Sequence, residues 1–231
     1  MRTLICIPTY NEKENILQIV PAVLAQNLGV EILVIDDSSP DGTAGLVREM
    51  QDKYKGLHLL SRPGKQGLGR AYIAGFNWGM AHSFDAIVEM DADFSHRPQD
   101  LGPLLKALEN ADFVIGSRYV PGGGTVNWTL MRKIISRGGG IYSRLILGFP
   151  INDWTGGFNG WKVGTLKKIF LENVKSNGYS FQIELKYKAL KAGCKGVESP
   201  IIFEDRRVGH SKMSSKIVLE ALFRVWVMRF R

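Results

Sequence analysis

The sequence predicts an α/β protein, a single domain built on a mostly parallel sheet with helices on both faces. Short apolar runs rich in β-branched residues alternate with helical patterns through the first half of the chain. Runs such as Ile32–Ile35 are apolar without alternation, which is typical of parallel strands covered on both faces. The 231 residues, 45% of them hydrophobic and 23% charged, contain no linker, repeat or low-complexity tract that would divide the chain.

Strands and helices are predicted to alternate in the first half. The predicted strands are Thr3–Pro8, Glu31–Asp36, Leu57–Ser61, Ala86–Asp91 and Asp112–Ser117. The predicted helices are Ile16–Gln26, Thr43–Lys53, Gly69–Ala81 and Gln99–Glu109. We expect Asn11 to cap the first helix with Glu14 as its partner, and Pro21 to kink or restart that helix.

The second half is less regular. It predicts a helix over Thr129–Leu147 weakened by three glycines, a turn-rich stretch over Asn152–Gly160, a helix over Phe181–Ala192 and an extended segment over Val197–Phe203. Ser214–Arg231 is a strongly apolar helix that fits either the core or a membrane interface. Its Trp226, Arg229 and Arg231 favour the interface. No apolar run reaches the roughly 18 residues of a membrane span.

Charge and cysteine content indicate the class of partner and the cellular compartment. The net charge of +8 points to an anionic partner: nucleic acid, a phosphorylated small molecule or an acidic membrane surface. Two cysteines make neither a disulfide framework nor a zinc cluster, so we expect a reducing, cytosolic setting. The first apolar run is too short for a signal peptide.

Polar side chains follow four of the predicted strands, at the edge of the sheet where ligands bind. Asp91 and Asp93, just past an apolar strand, can offer oxygens to Mg²⁺ or Mn²⁺, and we favour this over a turn-capping role. Of Asp36 and Asp37, one is expected to cap the Thr43 helix and the other to bind a base or ribose.

Several nearby features allow two interpretations. Tyr10 is either core packing or a surface on which a base stacks, and Glu12 fits a first-turn helix residue. The stretch Gly64–Gly69 matches neither the ATPase phosphate loop nor the dinucleotide fingerprint. We find no Ser-His-Asp or Cys-His arrangement in the sequence. The basic run 205–212 follows a strand and carries a glycine, as a loop that closes over phosphates would.

Together these motifs resemble the family 2 glycosyltransferases of GT-A fold. The shared motifs are Pro8-Thr9-Tyr10-Asn11-Glu12, the Asp36–Thr43 run, Gly67-Leu68-Gly69, Asp91-Ala92-Asp93 and Gly116-Ser117-Arg118-Tyr119. More specific segments resemble the dolichol-phosphate mannose synthases within that family. These segments are Arg132–Gly138, Asp153–Phe158, Gly178–Gln182 and Phe203–Arg206. The resemblance covers roughly Leu4 to Lys212.

The resemblance implies an inverting transfer of mannose from GDP-mannose to a dolichyl or polyprenyl phosphate, at the cytoplasmic face of a membrane. By this resemblance, nucleotide-sugar binding falls to Pro8, Tyr10, Glu12, Ile35, Asp37, Asp91, Ala92, Asp93, Arg206 and Lys212. Mg²⁺ or Mn²⁺ would be held by Asp91, Asp93 and Ser95, where Ser95 stands at a place the family often fills with glutamine. The acceptor phosphate would meet Arg118, Arg132 and Ser136, and the catalytic set is Asp93, Arg118, Arg132, Arg206 and Lys212.

The resemblance also divides the chain by role. Residues 1–120 would bind the nucleotide sugar, residues 121–213 the acceptor, and 214–231 would form an amphipathic helix at the membrane, with a membrane-anchoring protein as a further partner. A phosphate acceptor is already an anion near neutral pH, so the chemistry needs orientation and cations more than a strong base. Asp153 remains open as a base or a sugar-orienting group. The rival functions are a transferase using a UDP-sugar, a non-catalytic scaffold and a basic nucleic-acid-binding module, which lacks any recognised motif.

Overall fold

The computed structural model describes residues 1–176, 178–205 and 215–230. Its strands are β1 (Thr3–Thr9), β2 (Glu31–Asp36), β3 (Leu57–Ser61), β4 (Ala86–Glu89), β5 (Phe113–Ser117), β6 (Gly124–Val126), β7 (Asn159–Lys162), β8 (Gly196–Pro200) and β9 (Ile202–Glu204). Its helices are α1 (Lys13–Leu24), α2 (Thr43–Lys53), α3 (Leu68–Ala81), α4 (Leu101–Glu109), α5 (Leu130–Leu147), α6 (Val163–Lys168), α7 (Gly178–Lys191) and α8 (Ser215–Phe230). The predicted α/β class is confirmed.

One seven-stranded sheet organises the chain, in the order β3-β2-β1-β4-β7-β5-β8. The pairings are parallel except those of β7, which runs antiparallel between β4 and β5. A separate parallel pair, β6 and β9, lies outside this sheet. The extended segment predicted over Val197–Phe203 is therefore two strands in two different sheets.

The central strands are covered on both faces, as their unbroken apolar runs predict. Leu4 and Cys6 point to one face and pack with α3 and α7, whereas Ile5 and Ile7 point to the other and pack with α1 and α4. Alternate residues of a strand face opposite sides, so each β1 side chain enters one of two cores. The apolar cores lie along the strands, whereas the loops at the carboxyl ends of the strands are polar.

Some local expectations are wrong. Asn11 does not cap α1: its backbone is left-handed (φ 60°), and Glu12 occupies the capping position without a side-chain cap. Pro21 lies inside α1, so the helix does not restart there, and a kink at this residue stays a prediction. Within the turn-rich stretch, β7 begins at Asn159. The glycines of α5 do not interrupt that helix, whose first turn is capped by the Thr129 hydroxyl accepting the Arg132 N–H. None of the described helices is both long and apolar enough to cross a bilayer.

Candidate active site

The loops after β1, β2 and β4 emerge side by side at the carboxyl edge of the sheet. Thr9 at the end of β1 lies opposite Asp36 at the end of β2, and β4 is the other neighbour of β1. Each loop carries one non-glycine residue in the left-handed region: Asn11, Ser38 and Phe94, with φ of 60°, 57° and 62°. Such strained backbone concentrates at functional sites, where the surrounding structure holds it.

The two neighbouring aspartates after β2 have different partners. Asp36 accepts the backbone N–H and the hydroxyl of Ser39, at 3.0 and 2.5 Å, and so orders the turn. The capping position of α2 is instead Gly42, which offers no side-chain cap, and Asp41 just before it accepts the N–H of Thr43 at 3.0 Å. The prediction that Asp36 or Asp37 caps this helix is wrong.

Asp37 is buried at the rim and pairs with Arg62, whose Nη1 donates to its Oδ1 at 2.8 Å. The same guanidinium donates to Gln66 at 3.1 Å, so the loop before α3 is tied to the end of β2. This buried pair would hold the Asp37 carboxylate in a fixed direction. No sequence motif identified Arg62 as its partner.

Further residues predicted to bind the nucleotide belong to the end of β2 and to the loops after β1 and β4. Tyr10 is exposed, and the Lys65 ammonium lies 4.1 Å from the centre of its ring. Glu12 accepts the amide of Asn15 at 2.6 Å. Ile35 and Ala92 are buried, and their contact with a nucleotide stays a prediction. The exposed Tyr10 ring favours a stacking role over core packing.

The turn after β4, residues 90–96, carries the predicted metal ligands and is called the metal turn. Asp91 accepts the Tyr72 hydroxyl at 3.2 Å, and Asp93 accepts the Ser95 N–H at 3.1 Å. The Oγ of Ser95 is buried with no hydrogen-bond partner in the described part of the chain. The Nδ1 of His96 accepts the Asp91 N–H at 3.0 Å, and burial lowers the pKa of His96, so its imidazole is neutral.

These groups fit Mg²⁺ or Mn²⁺. Two carboxylates and an unpartnered hydroxyl are hard oxygen donors, and such ions usually take their remaining ligands from water and substrate phosphates. Among the described residues, no group of three or more His, Cys, Asp or Glu side chains is arranged to hold a metal. A metal at this turn would therefore depend on substrate oxygens as well as on Asp91 and Asp93.

Arg118, at the end of β5, forms a buried two-pronged pair with Asp153. Its Nε donates to Oδ2 at 2.7 Å and its Nη2 to Oδ1 at 2.6 Å, and its backbone N–H donates to the same carboxylate at 3.0 Å. Burial alone would raise the pKa of Asp153, but the Arg118 guanidinium lowers it to about 2. A carboxylate with that pKa is a poor general base, so Asp153 is better suited to orienting Arg118.

A buried lysine, which no sequence motif identified, binds the backbone of the loop that carries Asp153. Lys186 of α7 is fully buried, and its ammonium donates to the carbonyls of Asp153, Trp154 and Gly156 at 3.0, 3.1 and 2.8 Å. Burial lowers the pKa of Lys186 to about 8. Nothing in the sequence distinguishes Lys186 from the solvated lysines of the same helix.

The Arg118–Asp153 pair makes acid stability a test of its geometry. The pKa of Asp153 is about 2 in the folded protein against an ordinary 3.8, so its stabilising contribution is fully present above about pH 4 and lost as pH falls towards 2. We expect urea unfolding to show a loss of about 2 kcal/mol over that window. Asp153→Asn should lower the free energy of unfolding at pH 7. It should also make that free energy depend less on pH between about 4 and 2. The same acid slope in both proteins would contradict the buried pair.

The predicted acceptor residues meet at the start of α5. Arg132 donates to Asp205 at 2.8 Å and lies 4.1 Å from the Trp128 ring, and Ser136 accepts the Tyr119 hydroxyl at 2.7 Å. The Arg118 guanidinium is 5.3 Å from the same Trp128 ring. Arg118 and Arg132 are thus brought to one aromatic ring from separate parts of the chain.

An aromatic bridge joins these arginines to the metal turn. Phe203 of β9 contacts His96 edge-on at 5.5 Å and Trp128 at 5.4 Å. The N–H of Glu204 donates to the Ser95 carbonyl at 3.3 Å, which fixes β9 against the metal turn. The metal turn and the two arginines, Arg118 and Arg132, therefore form one connected site. Arg206 and Lys212, assigned to the donor diphosphate, lie outside the described residues.

Comparison with known proteins identifies the relatives of this chain. The model for glycosyl transferase family 2 matches residues 4–170. The chain is 47% identical to a polyprenol monophosphomannose synthase of Mycolicibacterium smegmatis, covering 100% of this chain and 88% of that protein. It is 44% identical to an undecaprenyl-phosphate mannosyltransferase of Micrococcus luteus, covering 97% and 93%. A dolichol-phosphate mannosyltransferase of Pyrococcus furiosus is 36% identical, covering 98% of this chain and 63% of that protein.

Solved structures confirm the GT-A fold. A mannosyltransferase from Pyrobaculum calidifontis, in complex with GDP-Man and Mn²⁺, superposes with a TM-score of 0.68 at 17% identity. That comparison covers all of this chain and 64% of the other. A glucosyl-3-phosphoglycerate synthase from Mycobacterium tuberculosis, in complex with Mn²⁺ and UDP, gives 0.63 at 18%, covering 98% and 78%. At these identities the likeness concerns the fold.

Proposed function

This chain belongs to glycosyltransferase family 2, and we propose that it transfers mannose from GDP-mannose to a polyprenyl phosphate with inversion of the anomeric carbon. The mannosyl and polyprenyl parts are supported by the activities named for its 44–47% identical relatives. The observation that carries the proposal is the connected site, in which two arginines meet one aromatic ring beside a carboxylate turn. Such a site suits an anionic acceptor and a diphosphate leaving group.

Residues 1–120 provide the donor side of this proposal. The exposed Tyr10 ring offers a stacking surface for the base, and Asp37, fixed by Arg62, accepts hydrogen bonds from the base or ribose. Asp91 and Asp93, with Ser95, would hold Mg²⁺ or Mn²⁺, which neutralises the charge of the departing diphosphate when bound. Tyr72 and His96 orient the Asp91 side chain and main chain.

The acceptor side lies in residues 121–213 together with Arg118. An oxygen of the lipid phosphate attacks the anomeric carbon, and the bond from that carbon to the diphosphate oxygen breaks, releasing GDP. A phosphate monoester has a second pKa near 6, so it is already a nucleophilic dianion near neutral pH and needs no strong base. In this proposal Arg132 and Ser136 bind it, and Arg118, held by Asp153 near the same Trp128 ring as Arg132, binds it with them.

Replacing Arg132 tests the acceptor assignment. We expect Arg132→Ala to raise the KM for polyprenyl phosphate by tenfold or more, since a charge-assisted hydrogen bond contributes about 1.5–3 kcal/mol. GDP affinity should stay unchanged. Arg48→Ala, on the exposed face of α2, is the matched control. Equal losses of lipid use and GDP binding would remove Arg132 from the acceptor site.

Helix α5, which carries Arg132 and Ser136, also contributes to an exposed apolar face. This face consists of exposed side chains at helical spacing on two helices that pack together: Leu130, Ile134, Ile141 and Leu145 of α5, and Phe223, Trp226 and Phe230 of α8. Lys133 and Arg137 are exposed beside it. An apolar stripe edged by cations suits the surface of an anionic membrane, which is where a polyprenyl phosphate presents its headgroup.

Helix α8 has both a face that packs in the core and an exposed apolar face, the two alternatives that its sequence left open. Val225 and Met228 are buried in the core, whereas Phe223 and Phe230 are more than two-thirds exposed. We place this face on the membrane in the proposal. Both cysteines, Cys6 and Cys194, are free and buried, which suits the reducing cytoplasmic side of that membrane. A membrane-anchoring protein partner stays a prediction.

The apolar face makes a quantitative prediction. We expect Ile134→Gln with Leu145→Gln to lower the vesicle partition coefficient at least tenfold, because each apolar side chain withdrawn from water contributes about 1.5 kcal/mol or more. Stability should be kept, since both side chains are exposed. Leu17→Gln, an exposed leucine on α1, is the control in a vesicle sedimentation assay. Undiminished sedimentation of the double variant would remove α5 from the membrane face.

The decisive test is a transfer assay with GDP-mannose, polyprenyl phosphate and MnCl₂ or MgCl₂. Melting temperatures with GDP, UDP or ADP would precede it, because a ligand at about 100 times its Kd adds about 2.7 kcal/mol of stability. A metal-dependent shift with GDP followed by mannosyl transfer supports the proposal. A shift with UDP alone would move the donor to a UDP-sugar. No shift with any nucleotide would overturn the proposal.

A further inference from the structure

A cavity lies away from the aromatic bridge and the metal turn. It has a volume of about 450 Å³ and opens between the segment 168–176, helix α7 and helix α8. None of the residues assigned to the donor, the metal or the acceptor lines it. Its charge and its walls both indicate a ligand.

Basic side chains converge on this cavity. It is lined by Lys168, Lys175, Lys188, Lys191 and Arg224, with Glu184 as the only acidic residue of the described lining. The Glu184 carboxylate is buried and accepts the backbone N–H groups of Lys175 and Ser176, at 3.3 and 3.0 Å. Its charge is thus directed at the backbone, and among the described residues no ion pair joins it to Lys168, Lys175 or Lys191.

Helix ends explain only part of this cluster. Lys168 ends α6, and Lys188 and Lys191 lie in the last turn of α7, where cations interact favourably with the helix dipole. Lys175 lies between α6 and α7, so it gains nothing from a helix end. Like charges brought together repel each other, and an anion in the cavity would relieve that repulsion.

The cavity also has an apolar wall. Val227 and Met228 of α8 line it together with Ile169 and Phe170. At 100° per residue, Val227 lies between Arg224 and the exposed stripe of Phe223 and Phe230 around α8. The basic pocket therefore opens beside the proposed membrane face, with apolar surface leading from one to the other.

We propose that this cavity binds the phosphate group of a second ligand, in which the basic side chains take the anion and the apolar wall takes the adjoining carbon chain. A phospholipid headgroup and a soluble phosphoester share this chemistry. The position beside α8 rests on the proposed membrane face, whereas the anion site itself depends only on the cavity. A bound lipid phosphate would fix the orientation of α8 on the bilayer.

Vesicle binding by the full chain tests the proposal. Vesicles of phosphatidylcholine are compared with vesicles that also contain phosphatidylglycerol, at constant ionic strength. We expect Lys175→Gln with Lys191→Gln to lower the preference for the anionic vesicles by about tenfold or more. Lys53→Gln with Lys55→Gln removes the same charge from exposed positions at the far end of α2. The preference is the ratio of binding to anionic and to neutral vesicles. The fall in the logarithm of this ratio should be less than half as large in the control as in the cavity variant.

A second arm distinguishes the sources of the phosphate. Glycerol 3-phosphate without vesicles should raise the melting temperature of the wild type and not of the cavity variant if a soluble phosphoester is the ligand. If the cavity variant loses its preference for anionic vesicles but glycerol 3-phosphate does not shift the melting temperature of the wild type, the ligand is a lipid headgroup. Equal losses in the cavity and control variants, with no selective shift, would overturn the proposal.

Two further measurements keep these results interpretable. Asp93→Asn should retain the anion-dependent binding, so failure of the catalytic proposal and failure of this one are distinguishable. If the double variant does not fold, Lys191→Gln alone, at an exposed position, repeats the comparison.

Discussion

Asp93→Asn is expected to lower the rate of sugar transfer by about three orders of magnitude, equivalent to about 4 kcal/mol of transition-state stabilisation. The side chain loses its charge and with it the capacity to hold a divalent ion against the donor diphosphate. The fold should be kept, because the asparagine Oδ1 can still accept the Ser95 N–H that closes the turn. The readout is single-turnover transfer at saturating Mn²⁺, together with the melting temperature.

The control for this prediction is Asp52→Asn, which removes an equal charge from an exposed position on α2. It should leave the transfer rate unchanged. Asp93→Asn should also abolish the metal-dependent shift of the melting temperature with GDP. A variant that keeps both its rate and that shift would exclude Asp93 as a metal ligand.

Lys186→Met is expected to be the most destabilising of the single substitutions considered. Methionine leaves the carbonyls of Asp153, Trp154 and Gly156 without their buried donor. Breaking a buried charged interaction costs about 3–5 kcal/mol, which corresponds to a fall in melting temperature of about 10 °C for a chain of this size. Lys167→Met, an exposed lysine on α6, should change the melting temperature by little.

The position of Lys186 also predicts a selective kinetic effect. Its three bonds hold the turn whose Asp153 orients Arg118, so displacement of that turn should raise the KM for lipid phosphate more than it changes GDP affinity. Measurements below the lowered melting temperature separate this effect from unfolding. Equal changes in donor and acceptor binding would show that Lys186 acts only on stability.

Much of the sheet could be predicted because its strands are apolar on both faces. The predicted bounds of β2 and β3 match the structure, since Glu31–Asp36 and Leu57–Ser61 are continuous runs between turn residues. β7 was not predicted because Asn159–Lys162 is only four residues long and contains a glycine. Such a segment becomes a strand through its neighbours β4 and β5 rather than through its own propensity.

The site was predicted unevenly for a similar reason. Asp91 and Asp93 follow a strand, so the sequence places them at the sheet edge. The partners that fix the site come from distant parts of the chain: Arg62 beside Asp37, and Lys186 beneath Asp153. A lysine on a helix is usually solvated, and only the packing of α7 against the sheet shows that Lys186 is buried.

The place of β7 in the sheet has a consequence for how the chain folds during synthesis. β5 ends at Ser117, but its two neighbours are β7 and β8, which end at Lys162 and Pro200. β3, β2, β1 and β4 can pair as soon as they leave the ribosome, whereas β5 must wait about 45 residues for β7 on one edge and about 80 residues for β8 on the other. The proposed boundary between donor and acceptor functions near residue 120 is therefore not a boundary between folding units.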